Sequence, residues 1–330
     1  MSNSARPTIT VITPVYDEAE NLAAYTKAVE EILFADTTCD FRVLFVEDGS
    51  RDEGWKLIEK ICAADARYSG LRLSRNFGAH KALSAGLAYA GGDAVCILAA
   101  DLQDPPSVIL EFVEKWRGGA QIVWGHRKSR RDSTWRVLAS KSFFSLIRRH
   151  AMPRGSRFTT GSFLLMDRLV LDCYRQFPEH NRITFALVAW TGFSQEVVEY
   201  DRAKRLAGQS KWSFRAMLSA MYDTFMGFSN LPARLMTWAG VLISLGAVAF
   251  SSYLVLNWLG GDTLPGWTGV MFGLSVFAGV QFLMMGIVGE YLYRIYTEAA
   301  GRPLYFISDR AGDVPEAAPS PGPPAGGGAE

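Results

Sequence analysis

Short apolar runs alternate with longer amphipathic stretches through roughly the first two hundred residues. The runs Thr8–Thr13, Arg42–Val46, Gly70–Leu73, Ala94–Ala99, Gln121–Trp124, Phe163–Met166 and Glu196–Tyr200 are too brief for helices, so they predict strands. Between them, Ala19–Phe34, Gly54–Ala64, His80–Ala90, Ser107–Trp116 and Trp135–Arg148 carry apolar residues at helical spacing and predict helices. Strands alternating with helices in this way predict an α/β fold, with a mostly parallel sheet covered by helices on both faces. Ligands of such folds bind beyond the carboxyl ends of the strands, where chemistry-bearing residues are therefore expected.

The pattern changes after Arg234. No charged residue occurs across 235–261, and after Asp262 none occurs until Glu290. Each window exceeds the ~20 residues that cross a bilayer as a helix, and each is apolar all round, which predicts a two-helix transmembrane hairpin. Arg234 precedes the first span, Arg294 and Arg302 follow the second, and the turn between carries no Lys or Arg. The positive-inside rule then places the α/β domain and both termini in the cytoplasm, making this a multi-pass protein of the cytoplasmic (inner) membrane. The chain divides into an α/β domain at 1–210, juxtamembrane interfacial helices at 211–232, the hairpin at 233–298 with spans about 235–259 and 267–289, and a C-terminal segment at 299–330. From about Ala311 that segment is rich in Pro, Ala and Gly and is expected to be disordered.

Composition refines this picture in three places. The chain is 49% hydrophobic with net charge +1, and that balance argues against a nucleic-acid partner. The segment from His126 to Arg154 is strongly basic, with Arg127, Lys128, Arg130, Arg131, Arg136 and Lys141 interleaved with Trp135, Leu138 and Phe143, as suits an anionic membrane surface. The four cysteines show no CxxC spacing, and neither a GxGxxG fingerprint nor a GxxxxGK[ST] loop is present, which disfavours a dehydrogenase or a P-loop NTPase.

The candidate chemistry lies just after predicted strands. In Ala99-Ala100-Asp101-Leu102-Gln103-Asp104-Pro105-Pro106, an extended chain puts Asp101 and Gln103 on one face, two oxygen donors suited to a hard divalent cation. Asp104 points the other way and is expected to N-cap the helix that starts through the prolines. A solvated turn explains the same residues equally well. After the first strand comes Thr13-Pro14-Val15-Tyr16-Asp17-Glu18, and after the second Glu47-Asp48-Gly49-Ser50, where acids can accept hydrogen bonds from a base or ribose; ordinary turn chemistry accounts for either stretch taken alone.

Those three segments occur in order with Ser74-Arg75-Asn76-Phe77-Gly78, Gly208-Gln209-Ser210-Lys211-Trp212 and Met285-Gly286-Ile287-Val288-Gly289-Glu290. Together they resemble the inverting, GT-A (Rossmann-like) polyprenyl-phosphate glycosyltransferases, the group of dolichyl-phosphate mannose synthase and the bactoprenol glucosyltransferases. The resemblance implies transfer of a sugar from a nucleotide-sugar donor, a UDP-sugar, to undecaprenyl phosphate or a similar polyprenyl phosphate in membrane lipid, for cell-envelope glycan or lipid modification. It implies Mg²⁺ or Mn²⁺ as cofactor and assigns the metal to Asp101 and Gln103. It assigns the donor to Pro14, Tyr16, Glu18, Glu47, Asp48, Arg202 and Lys211, and catalytic contacts with the phosphates to Asp101, Arg127, Arg136 and Ser140. It further implies a homo-oligomer assembled through the membrane helices, and a flippase or a downstream glycosyltransferase to receive the product.

Two positions depart from that family. Ala99 stands where it usually has an aspartate, and Ser162 where it usually has an acid. A lipid monophosphate with a second pKa near ~6 is largely dianionic at neutral pH and attacks without surrendering a proton, so the second acid is dispensable. The alternative that these departures motivate is a catalytically weakened nucleotide-sugar or lipid-phosphate binding protein. A processive polysaccharide synthase is disfavoured, because no QxxRW stretch occurs.

Overall fold

A computed structural model describes residues 6–128, 163–180, 182–203, 231–260 and 266–318. It divides into two units, Met1–Met217 with Pro303–Glu330, and Leu218–Arg302. The first carries strands β1 (Thr8–Val15), β2 (Asp40–Glu47), β3 (Tyr68–Leu73), β4 (Ala94–Ile97), β5 (Ile122–Arg127), β6 (Leu164–Asp167), β7 (Gln195–Tyr200) and β8 (Ile307–Ala311). Its helices are α1 (Ala19–Ile32), α2 (Gly54–Ala64), α3 (Ala79–Tyr89), α4 (Ser107–Arg117), α5 (Arg168–Arg175) and α6 (Thr184–Trp190).

All eight strands join one sheet in the order β7-β5-β6-β4-β1-β2-β3-β8. β3, β2, β1 and β4 run parallel, β5 and β7 run parallel, and β6 and β8 are antiparallel to their neighbours, so the sheet is mixed. It is a Rossmann-like mixed sheet with helices on both faces, as expected, with less parallel pairing than the alternation alone predicts. Side chains alternate along β1: Ile9 and Val11 join a core with Leu22 and Tyr25 of α1, Ile58 of α2 and Phe112 of α4. On the other face α3 lies close against Ile12 and Val46. A Cβ on Gly86 would stand 2.5 Å from Ile12 Cγ2, so glycine is what lets this helix approach the sheet.

Four expectations need correcting. β4 ends at Ile97, and Leu102 has φ of 50°, so the chain turns before Gln103 and the same-face argument for Asp101 and Gln103 does not apply. Asp104 does not cap α4; Pro106 takes the N-cap position without a side-chain hydrogen bond, and the Asp104 carboxylate is drawn instead to Tyr200. β8 was not expected: Ile307–Ala311 pairs with β3 and returns the chain to the α/β unit after the long helices. Residues past Ala311, expected to be disordered, continue along that unit as far as Ala318, whose N–H donates to Ala88 O at 2.9 Å.

The second unit contains α7 (Leu231–Leu259) and α8 (Trp267–Ala299), of 29 and 33 residues. At 1.5 Å per residue they are about 44 and 50 Å long. Within α8, the 24 residues Val276–Ala299 have mean hydropathy 1.4 and are long and apolar enough to cross a membrane, whereas the apolar run Met236–Phe250 in α7 is shorter. Both helices expose large apolar side chains, among them Leu242, Leu245, Leu256, Leu274 and Phe282. The interfacial helices expected at 211–232 and the basic helix Trp135–Arg148 lie outside the described residues, apart from the start of α7.

Candidate functional site

The carboxyl ends of β1, β2 and β3 form one side of the site. Beyond β1 the chain turns sharply at Asp17, with φ of 47°. Its N–H donates to Ser50 Oγ at 2.9 Å while its own Oδ1 accepts from Arg51 N–H at 2.8 Å, which ties the segment holding Pro14, Tyr16 and Glu18 to the loop after β2. Glu18 is engaged by the Asn21 side-chain amide.

In that loop Glu47 is fully buried. Its carboxylate accepts from Ser50 N–H and, at 3.2 Å, from Arg72 Nε of β3, so it braces the loop and is not exposed to a donor as expected. Asp48 is 3% exposed, and both its oxygens are engaged: Oδ1 accepts from Phe77 N–H at 2.7 Å and Oδ2 from Gly78 N–H at 2.9 Å. Burial pushes the Asp48 pKa above the usual carboxylate range, against the opposing pull of those two N–H groups. Gly49, at φ of 66°, permits the closeness of the two loops, since a Cβ there would collide with the backbone of Arg75 and Asn76.

The ends of β4, β5 and β7 form the other side. Asp101 is 8% exposed, and its Oδ1 accepts from Gln103 N–H at 3.2 Å across the turn made by Leu102. Gln103 O accepts from Ala203 N–H at 2.9 Å, which brings the chain past β7, with Arg202, up against this turn. Asp104 is 2% exposed and gathers the cations. Its Oδ1 accepts from Tyr200 Oη at 2.5 Å and from Arg127 Nη2 at 3.3 Å, and stands 4.0 Å from Arg202 Nε. Arg127 Nε also donates to Tyr200 Oη at 3.3 Å.

The electrostatics follow from this packing. Burial works against the Arg127 guanidinium, but Asp104 and the Tyr200 hydroxyl outweigh it and raise its pKa. Arg202 goes the other way, lowered first by burial and then by the like charge of Arg127. Burial, reinforced by the Asp104 charge, raises the Tyr200 phenol so that it stays protonated and donates.

Of the residues assigned from sequence, the fold gathers Asp101, Gln103, Arg127 and Arg202 into one cluster, and Pro14, Tyr16, Glu18, Glu47 and Asp48 into a second at the same edge of the sheet. Arg136, Ser140 and Lys211 lie outside the described residues. Asp104 and Tyr200 were missed as site residues. The only trace of them in the sequence is that each adjoins or lies near an assigned residue, Asp104 after Gln103 and Tyr200 two before Arg202. Among the described residues no group of three or more His, Cys, Asp or Glu side chains could hold a metal by itself.

Residues 10–175 match the model of the family described as glycosyl transferase family 2. An uncharacterized glycosyltransferase of Synechocystis sp. is 38% identical over 303 residues, covering 91% of this chain and 95% of its own. The bactoprenol glucosyl transferase of Shigella phage SfV is 31% identical over 303 residues, covering 91% of this chain and 98% of its own. Among solved structures, a mannosyltransferase from Pyrobaculum calidifontis in complex with GDP-Man and Mn²⁺ aligns with a TM-score of 0.46 at 16% identity, covering 90% of this chain and 87% of that one.

Proposed function

The chain belongs to glycosyl transferase family 2, and from that premise we propose that it is a membrane-anchored, inverting enzyme that moves a sugar from a UDP-sugar to undecaprenyl phosphate or a similar polyprenyl phosphate. The observation that carries this reading is the pair of guanidiniums, Arg127 and Arg202, held around one buried carboxylate beside Asp101 at the strand ends. Such a pair suits a substrate set with phosphate on both the donor and the acceptor. The exposed apolar surfaces of α7 and α8 suit an acceptor that lives in a bilayer, and we read the two helices as the spans of a hairpin with both ends in the cytoplasm.

In this reading an oxygen of the dianionic lipid phosphate attacks the sugar C1 from the face opposite the donor diphosphate. The new O–C1 bond forms as the C1–O bond to the diphosphate breaks, and the nucleoside diphosphate leaves with the electron pair. The configuration at C1 inverts, and no protein base is required. Arg127 holds the acceptor phosphate, and Arg202 sits where negative charge grows on the leaving group.

The residues present fit a hard divalent cation. Asp101 would supply one anionic oxygen, the turn at Leu102 keeps Gln103 next to it as a neutral donor, and Mg²⁺ or Mn²⁺ ordinarily completes its shell with water and substrate phosphate. When bound, the cation would neutralise charge on the diphosphate. Ala99 adds no ligand, so the donor must bring more of the shell here than it would beside a second carboxylate.

The test is transfer of labelled sugar from UDP-glucose to undecaprenyl phosphate by the purified, detergent-solubilised chain, with and without EDTA. Lipid-linked label that disappears in EDTA and returns with Mg²⁺ or Mn²⁺ is the expected result. No lipid-linked product across a panel of UDP- and GDP-sugars overturns the reading in favour of a binding protein.

A further inference from the structure

Two guanidiniums share the Asp104 carboxylate in this site, and Asp101 also acts on the charge of Arg202. Asp104, with its side chain 3% exposed, is the nearest anion to Arg127 Nη2 at 3.3 Å, and Arg202 Nε at 4.0 Å is beyond hydrogen-bond reach of it. Tyr200 closes the cluster, donating to Asp104 Oδ1 at 2.5 Å and accepting from Arg127 Nε at 3.3 Å. Two of the three nitrogens of Arg127 are thereby fixed in direction, and among the described residues its Nη1 donates to nothing. Arg127 comes from the end of β5, Tyr200 from the end of β7, and Asp104 from the turn after β4, so three strands have to agree for this geometry to exist.

We propose that Asp104 and Tyr200 are positioning residues for transfer: they hold the Arg127 fork so that its remaining N–H groups meet the phosphate of the lipid acceptor. The inference rests on the transfer reading above and adds to it a reason for the buried aspartate and the phenol. A buried Asp–Tyr pair that served only to knit β4, β5 and β7 together would show the same hydrogen bonds. The difference is that a knitting pair affects stability and both substrates alike, whereas a positioning pair acts on one substrate and acts through Arg127.

Tyr200→Phe separates the two. The ring stays edge-on to Phe163 at 5.5 Å, so packing is retained and only the hydroxyl is lost. Losing one hydrogen bond to a charged partner is worth about a tenfold change. With undecaprenyl phosphate and UDP-glucose varied in turn below the thermal midpoint of the variant, Tyr200→Phe should raise the acceptor KM about tenfold and leave the donor KM where it was. Arg127→Lys should raise the acceptor KM too, and the double variant should be no worse than Arg127→Lys within about twofold, because the hydroxyl acts only by aiming the fork. Asp104→Asn, which keeps the size and removes the charge, should follow Tyr200→Phe in direction and exceed it.

Equal rises in both KM values, or losses that multiply in the double variant, would overturn the proposal. Should the wild type transfer no sugar, the transfer reading fails, and equilibrium binding of undecaprenyl phosphate in detergent then decides the positioning claim by itself. About tenfold weaker binding by Tyr200→Phe sustains it. Unchanged binding, or a wild type that binds no lipid phosphate, sinks it.

Discussion

The strand ends of β2 and β4 both present paired acids, and the two pairs do different work. Glu47 and Asp48 are met mostly by the protein's own backbone: Ser50, Phe77 and Gly78 give their N–H groups, with Arg72 adding one side chain. Asp104 is met by a phenol and two guanidiniums, and Asp101, next to Leu102 and two residues from Gln103, sits within the field of Arg202. A carboxylate saturated by backbone donors builds a loop, because those donors cannot be exchanged without unfolding the loop. A carboxylate facing guanidiniums holds groups that an incoming phosphate competes for. By this difference we read the β2 side as scaffold for the proposed donor pocket and the β4–β5–β7 side as the carrier of the proposed charge chemistry.

Neutralising an acid on each side is the most direct way to break that comparison. Asp101→Asn should lower turnover by about 10²–10³, comparable to losing one preorganised electrostatic contact in a transition state, with little change in thermal midpoint. Steady-state rates over a metal titration check it, and an Asn variant of wild-type activity removes Asp101 from the chemistry. On the other side Gly49→Ala should act on stability. The residue would be held at positive φ with its Cβ against the Arg75 backbone, which costs about 3 kcal/mol and loosens both loops. Thermal unfolding should register it before donor KM does.

Asp48→Asn should be milder, about 2 kcal/mol, since one acceptor survives while the amide nitrogen faces an N–H that it cannot accept from. Its signature is a lower thermal midpoint with kcat retained at saturating donor. A collapse of kcat at unchanged stability would make the two sides alike.

Much of this division was legible before the structure. Seven strands of the sheet and the first four helices lie within a few residues of where periodicity put them, because each buries one face, α1, α2 and α4 on one side of the sheet and α3 on the other. Long-range pairing was not legible. β8 follows the two apolar helices and pairs with β3 through Arg72 and Asp309, 3.6 Å apart, and nothing in a Pro- and Gly-rich tail announces so distant a partner. Asp104 was assigned to a cap because local chemistry allows it; a Tyr almost a hundred residues away won the carboxylate instead. Positive φ at the non-glycine residues Asp17 and Leu102 was equally hidden, and at Leu102 it turns the chain before Gln103.

The smallest predicted effect probes the β2–α3 side through pH. His80, in the first turn of α3 beside the Asp48-held loop, lies edge-on to Phe185 at 5.9 Å, and its Nδ1 is buried without a hydrogen-bond partner among the described residues. Burial lowers its pKa below the ordinary 6.5. Above about pH 6.5 neither the folded nor the unfolded chain protonates this ring. Below that the unfolded chain takes up a proton that the folded chain refuses, so stability falls as pH falls toward the depressed folded pKa, by up to about 1.4 kcal/mol per pH unit. Asp48 has the opposite sign: its raised pKa makes the folded chain the better proton acceptor just above the usual carboxylate range, so stability falls there as pH rises. Thermal midpoints of the wild type, His80→Phe and Asp48→Asn between pH 4 and 8 therefore separate the two groups. His80→Phe should flatten the decline between pH 6.5 and 5 and leave neutral stability nearly unchanged, because Phe keeps the ring contact and removes the unpartnered nitrogen. Asp48→Asn should lower the midpoint throughout and change its slope only on the more acidic limb. If His80→Phe leaves the decline below pH 6.5 as steep as in the wild type, the buried imidazole is being protonated in the folded chain, and this side of the site is wetter and looser than its backbone-saturated acids imply.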